Sequence, residues 1–230
     1  MIECKHLTFT YNKHVVLHDI NLTFSNQQKI GIVGESGSGK TTLAHLILGI
    51  LKPTTGKIDN DGLTMLPIFQ NAFDSFNPKR TIQQSMDEAI KYYPHATTKV
   101  LNKRLNELLA FMELHPNLLN QRPDVLSGGQ LQRFNMLRSF MLEPDILICD
   151  EITANLDVIS ENRMKDILER YHNLTGKGLL IISHDIAFLQ SLVDRIVVLK
   201  DGCLVDDFMV TDMFQSSRNV YTKKLLSLYK

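Results

Sequence analysis

The chain has 230 residues, enough for one large domain or two small ones with a buried core. Hydrophobic residues make up 43% and charged residues 22%, ordinary globular values that argue against disorder or a coiled-coil fibre. Lys plus Arg and Asp plus Glu each number 25, so no bulk positive charge favours nucleic acid.

Residues 2–9 and 18–24 alternate and carry β-branched or aromatic side chains, which predicts two strands about a turn at Tyr11-Asn12-Lys13-His14. Residues 28–33 form a short apolar strand that runs into a Gly-rich turn and then a helix over 41–50. The longest mainly apolar run, 46–51, is broken by Gly49 and falls far short of the roughly 20 residues that span a bilayer. A strand is expected at 66–69. The stretch 80–141 reads as helical, with Leu101, Leu105, Leu108, Leu109 and Met112 at helix spacing. Strands follow at 146–149, 179–183, 195–199 and 203–207, the first two separated by a helix over 158–172. Alternating strands and helices predict an α/β fold with a parallel sheet, and the long helical block reads as a subdomain inserted into that core. The start, Met1-Ile2-Glu3-Cys4-Lys5, lacks the layout of a secretory signal. Three scattered cysteines without a CxxC pair point away from zinc or a redox couple and toward a reducing compartment.

Three motifs carry the chemistry. Gly34-Glu35-Ser36-Gly37-Ser38-Gly39-Lys40-Thr41 is the phosphate-loop pattern, set between a strand and a helix as its mechanics require. Its backbone N–H groups and the helix N-terminus cradle phosphates, Lys40 reaches the β- and γ-phosphates, and the Thr41 hydroxyl ligates Mg²⁺. Asp145-Ile146-Leu147-Ile148-Cys149-Asp150-Glu151 is a buried strand ending in two carboxylates, at the end that faces the ligand crevice of a parallel sheet. Asp150 is the candidate Mg²⁺ partner and Glu151 the group that polarises the attacking water. Leu126-Ser127-Gly128-Gly129-Gln130 precedes a helix, with Ser127 as N-cap and two glycines that admit an anion close to the backbone.

With these motifs in this order, the whole chain resembles an ATP-binding cassette (ABC) ATPase. The resemblance implies a P-loop NTPase (RecA-like) core with an N-terminal antiparallel β-subdomain, an inserted helical subdomain at about 80–141 and a C-terminal segment at 211–230. It implies ATP binding by residues 34–42, Thr42 included, and by Ser127, Gly128, Gly129 and Gln130 acting on the ATP of an opposing cassette. Tyr11 stands where the family stacks an aromatic on adenine. Gln70 matches the glutamine that touches Mg²⁺ or the attacking water. His184, in Ser183-His184-Asp185, matches the histidine that touches the γ-phosphate. Thr153-Ala154-Asn155-Leu156-Asp157 resembles the loop that crosses the dimer, with Ile152, Ala154 and Asn155 departing from the usual Pro, Ser and Ala and Asp157 retained.

The kind of cassette is narrowed by length and by the residues after Gln70. About ninety residues separate phosphate loop and signature, too few for the long coil of chromosome-maintenance members. Asn71-Ala72-Phe73-Asp74-Ser75-Phe76-Asn77-Pro78 and Tyr221-Thr222-Lys223-Lys224-Leu225-Leu226 resemble the oligopeptide, dipeptide and nickel importer branch. Among its members the short form is most similar to nickel or metal–metallophore import ATPases, with peptide import and a non-transport cassette as alternatives. The implied partners are a second, related cassette, two permease subunits and an extracellular or periplasmic substrate-binding protein, with no nucleic acid. The implied place is peripheral, on the cytoplasmic face of the cell membrane. Phe73, Phe76 and Met86 are either core packing or the lining of a groove for a permease helix.

Overall fold

A computed structural model of the chain describes residues 1–93, 96–154 and 157–227. In chain order its elements are β1 (Ile2–Tyr11), β2 (His14–Phe24), β3 (Lys29–Val33), α1 (Lys40–Ile47), β4 (Thr55–Asp59), β5 (Met65–Ile68), α2 (Ile82–Tyr92) and α3 (Thr98–Phe111). They continue with α4 (Gly128–Phe140), β6 (Ile146–Asp150), α5 (Val158–Thr175), β7 (Gly178–Ile182), α6 (Ile186–Leu192), β8 (Arg195–Lys200), β9 (Cys203–Met209) and α7 (Val220–Ser227). By their contacts these fall into two compact units, one of Met1–Pro67, Asp145–Glu151 and Gly176–Lys230, the other of Ile68–Pro144 and Ile152–Thr175.

The first unit holds two sheets. A three-stranded antiparallel sheet has the order β2-β1-β4, and a six-stranded sheet has the order β5-β6-β7-β3-β8-β9. The expected parallel register runs through β6, β7, β3 and β8. Strand β9 closes the edge antiparallel to β8, through a two-residue turn whose Asp201 and Gly202 both have positive φ. Strands β6 and β7 are buried along their whole length, which is why they read as continuous apolar runs rather than alternating ones. Ile30, Ile32, Ile148, Leu180, Ile182 and Val197 join Ile2, Leu7, Leu17 and Ile20 of the small sheet and Leu43 and Ile47 of α1 in one core.

Strand β4 was not expected from the sequence. Its residues Thr55-Gly56-Lys57-Ile58-Asp59 are mostly exposed and show no apolar alternation, and only pairing with β1 makes them a strand. Helix α1 ends at Ile47, before the expected 50, because Gly49 takes a positive φ.

The second unit is helical. The stretch expected to be helical over 80–141 is three helices, the second and third separated by short 3₁₀ turns at Pro116–Asn120 and Pro123–Val125, each opened by its proline. Thr81 and Gln84 form a capping box on α2, Thr97 caps α3, and Ser127 with Gln130 forms a capping box on α4. Helix α5 belongs to this unit, its Tyr171 ring 4.0 Å from that of Phe140 in α4. Phe76 and Met86 are buried, so they pack this unit and line no groove, whereas Phe73 is exposed.

The start of β6 is clamped within the first unit. The Asp145 carboxylate accepts from the Thr64 N–H and hydroxyl, each at 2.9 Å, and pairs with Lys177 at 2.8 Å. Burial alone would raise this carboxyl, but the Lys177 ammonium and the Thr64 donors outweigh it and hold the pKa below its ordinary value. A depressed folded pKa gives stability that is present above the unfolded value, about 3.9, and lost as pH falls through the folded one. Asp145→Asn is therefore expected to destabilise the chain by about 1 kcal/mol at neutral pH, the pair being partly exposed. Melting curves against pH should show the gap between variant and unsubstituted protein closing below about pH 4.

Candidate active site

Strand β3 lies between β7 and β8, and its C-terminal end opens the phosphate loop. A Cβ at Gly34 would sit 2.2 Å from the Leu199 carbonyl oxygen and 2.7 Å from Ser38 Oγ, so only glycine lets the loop leave the sheet here. Gly37 and Gly39 have φ of 81° and 101°, and α1 begins directly after them at Lys40. The loop is tied by Ser38 N–H to Glu35 O at 3.2 Å and by Gly202 N–H to Ser38 O at 3.1 Å. The first-turn N–H groups of α1, from Lys40, Thr41 and Thr42, have no partner inside the helix, which gives the loop its positive end.

Lys40 is only 7% exposed, and its ammonium donates to Gly34 O and Glu35 O, both at 2.9 Å. Burial lowers its pKa, while the carboxylates of Glu151 and Asp150 pull it back up. Asp150, at the end of β6, is 8% exposed and accepts a hydrogen bond from the Thr41 side chain. Burial raises its carboxyl, the Thr41 bond opposes this, and the neighbouring Glu151 charge adds to the rise. Its Oδ1 and the Ser38 hydroxyl are buried without a hydrogen-bond partner. Such orphaned acceptors are costly unless a cation or donor completes them. A hard oxygen set of one carboxylate and one hydroxyl suits Mg²⁺ that also takes oxygens from a bound phosphate, so the residues fit that ion.

Glu151 follows at once, with φ of 50°, an uncommon left-handed conformation for a residue with a side chain. Its N–H donates to Ile182 O at 2.9 Å, which ties this bend to the end of β7. Its carboxylate Oε2 lies 2.7 Å from His184 Nδ1. His184 stands between β7 and α6, whose N-cap Asp185 accepts from the N–H groups of Ala187 and Phe188 at 2.8 and 3.0 Å. The carboxylate side chain is 17% exposed and the imidazole 66%, so the pair reaches from the sheet edge to the surface.

Lys40, Thr41, Asp150, Glu151 and His184 are thus brought together in the first unit. Tyr11 belongs to that unit too, exposed at the end of β1 beside a turn whose Asn12 and Lys13 both have positive φ. Gln70, Ser127, Gly128, Gly129, Gln130 and Asp157 belong to the second unit. Gln70 and Gly128 line one cavity of about 340 Å³ with Phe73, Leu126, Leu131 and Ile152. Ser127 Oγ accepts from Gln130 N–H at 3.3 Å and Gln130 Oε1 from Ser127 N–H at 3.0 Å, while beside Gly128 and Gly129 there is open space. The Asp157 carboxylate accepts from the Ser160 N–H at 2.8 Å and hydroxyl at 3.0 Å, so it serves as the N-terminal cap of α5. The Ser160 N–H bond is the main cause of its lowered pKa. Asn155 and Leu156 of the same loop lie outside the described residues. One neighbour of the phosphate loop was not singled out as a site residue: the Tyr221 hydroxyl, which accepts from the Glu35 N–H at 3.2 Å.

The sequence profile described as ABC transporter matches residues 17–154. The nickel import system ATP-binding protein NikE of Staphylococcus aureus strain USA300 is 48% identical over 231 residues, which span 100% of this chain and 99% of that protein. The same protein from strain N315 is 47% identical over the same span. A dimeric structure of a post-hydrolysis state of the ATP-binding cassette MJ0796, bound to ADP and Pi, superposes with a TM-score of 0.79 at 28% identity, covering 91% of this chain and 99% of that one. The fold is shared with cbiO1 from Clostridium perfringens, part of the ABC transporter complex cbiONQ, with a TM-score of 0.82, 23% identity and coverage of 99% and 95%.

The Glu151–His184 pair generates a direct test. Glu151→Gln keeps the shape and an oxygen for the imidazole but loses the basic carboxylate. Hydrolysis is expected to fall at least about 100-fold, the usual worth of a general base, while nucleotide binding stays within about two-fold. Steady-state phosphate release and nucleotide titration on the same variant check both halves.

Proposed function

The chain belongs to the ABC transporter family and is an ATPase coupled to transport, and from that premise we propose that it energises the import of nickel or a metal–metallophore complex. The observation that carries the cargo is the 48% identity along the full length to a protein named for nickel import. In the site, Glu151 takes the proton of the water that attacks the γ-phosphate. His184 holds that carboxylate through the 2.7 Å contact and meets the γ-phosphate. Lys40 keeps the Gly34 carbonyl and exchanges the Glu35 carbonyl for β- and γ-phosphate oxygens, trading a neutral acceptor for charged ones. Thr41 and Asp150 would hold Mg²⁺, which when bound neutralises charge on the β- and γ-phosphates. The orphaned Asp150 Oδ1 supports that role. Tyr11 stacks on the adenine; its exposed ring at the end of β1 supports this.

The second half of each ATP site comes from a partner cassette, a related subunit in this proposal. Ser127, Gly128, Gly129 and Gln130 close over the partner's nucleotide, and Asp157 contacts the partner across the dimer. A dimeric relative holding ADP and Pi and the open space at Gly128 and Gly129 support this arrangement. Two permease subunits and an extracellular or periplasmic substrate-binding protein complete the system. The chain sits peripherally on the cytoplasmic face of the membrane; no helix among the described residues is long and apolar enough to cross one.

Two measurements test this reading. Because a Cβ at Gly129 meets nothing within 4 Å, Gly129→Asp should fold and bind ATP in isolation within about two-fold of the unsubstituted chain. Its carboxylate would face a γ-phosphate in a dehydrated interface, so ATPase of the assembled transporter should drop at least about ten-fold. Loss of binding by the lone chain would place the signature in the wrong site. For cargo, cells lacking this chain are expected to lose high-affinity radiolabelled nickel uptake and keep dipeptide uptake. The reverse pattern would reassign the system to peptides.

A further inference from the structure

The contact between the C-terminal helix and the phosphate loop has no part in the chemistry described so far. Tyr221, in α7, accepts from the Glu35 N–H at 3.2 Å. That N–H belongs to the same peptide unit as the Gly34 carbonyl, which accepts from Lys40 Nζ at 2.9 Å. A peptide unit is planar, so fixing the direction of its N–H also fixes the direction of its C=O. The tyrosine therefore orients the carbonyl against which the Lys40 ammonium rests.

The mount of Tyr221 is rigid. Its own N–H donates to Asn219 Oδ1 at 2.8 Å, and the Asn219 N–H donates to Asp206 Oδ2 of β9 at 2.8 Å. Asp206 also pairs with Arg218 at 3.2 Å, both side chains largely out of solvent, and the Arg218 guanidinium lies 4.7 Å from the Phe208 ring centroid. The Lys200 ammonium at the end of β8 lies 4.9 Å from the centre of the Tyr221 ring. Burial raises the phenol above its ordinary pKa, the Glu35 N–H bond opposes this, and the Glu35 and Asp201 charges, with a hydrogen bond to the Glu35 side chain, add to the rise.

We propose that Tyr221 is a positioning residue of the nucleotide site, holding the Gly34–Glu35 peptide so that the loop and Lys40 are preset for a nucleoside triphosphate. The proposal rests on the reading of residues 34–42 as that site. Through Tyr221, the segment after β9 becomes part of the phosphate-binding apparatus. Without the hydroxyl the N–H side of the peptide loses its anchor, and ATP has to complete its ordering at the expense of affinity. The groups that act on the water, Glu151 and His184, are set by the ends of β6 and β7 and are untouched.

Tyr221→Phe keeps the ring beside Lys200 and removes only the hydroxyl. In the purified full chain, titration with ATP and Mg²⁺ should show a dissociation constant raised roughly five-fold, the scale of one hydrogen bond. In the assembled transporter the KM for ATP should rise by the same factor and kcat stay within about two-fold. A merely structural hydroxyl would lower the melting temperature of the nucleotide-free chain and leave both constants unchanged, and that result would overturn the proposal. So would a fall in kcat at constant KM. If the unsubstituted chain fails to bind ATP, or if Lys40→Ala binds as well as it does, the nucleotide reading itself falls and this proposal with it.

Discussion

An ammonium kept out of water beside two carboxylates is the constraint on which this site depends. Lys40 and Asp150 are both nearly buried, and burial pushes each toward its neutral form. The protein answers with local partners: two loop carbonyls for the lysine, the Thr41 hydroxyl for the aspartate, and the mutual field of both charges. The answer is incomplete, since Asp150 Oδ1 and Ser38 Oγ remain without partners. A ligand that brings negative oxygens to the lysine and a cation to the aspartate completes what the fold leaves open. Magnesium-bound triphosphate is of that kind.

The sheet explains why these groups can meet. In the parallel set β6-β7-β3-β8 every C-terminal end points the same way, so the segments after three strands converge at one edge of the sheet however far apart they lie in sequence. The start of α1, just past the loop after β3, supplies Lys40 and Thr41, β6 ends in Asp150, and β7 leads to His184. The strands need full burial to stay in register, and that same burial desolvates Asp150 at the end of one of them. Backbone strain at Glu151 then turns its carboxylate toward the histidine instead of along the strand.

Local patterns in the sequence were sufficient for much of this. The phosphate loop was legible because its glycines and Lys40 act through neighbours a few residues away. The apolar run before Asp150 was legible because a strand buried on both faces leaves no choice of polar residue. The cap Ser127 follows the same logic, a short side chain satisfying a donor three positions on. Contacts that close across the chain were not written in any spacing. His184 was named by family likeness alone, and neither its contact with Glu151 nor the Tyr221–Glu35 bond, 186 residues apart, had any local signal. Strand β4 is a strand only because β1 pairs with it, and its exposed residues carry no periodicity. For Phe73, Phe76 and Met86 the sequence offered three alike apolar residues, and only packing separated the exposed one from the two buried ones.

Helix α4 shows a related logic within the second unit. Its capping box uses the Ser127 Oγ and the Gln130 Oε1 as acceptors for the helix itself, while the Ser127 O–H stays a donor. What α4 offers an incoming anion is therefore that O–H, its Gly128 and Gly129 N–H groups and the dipole behind them, with no side chain at either glycine to keep the anion away. That division of labour explains the residue types: the flanking polar pair stabilises the helix end, and the glycines keep its approach clear. A side chain at either glycine would fit the isolated chain without a clash, so its cost would be felt only where a phosphate has to come close. The proposed half-site, completed by a second subunit, requires a chain whose own fold tolerates such a change while its assembly does not.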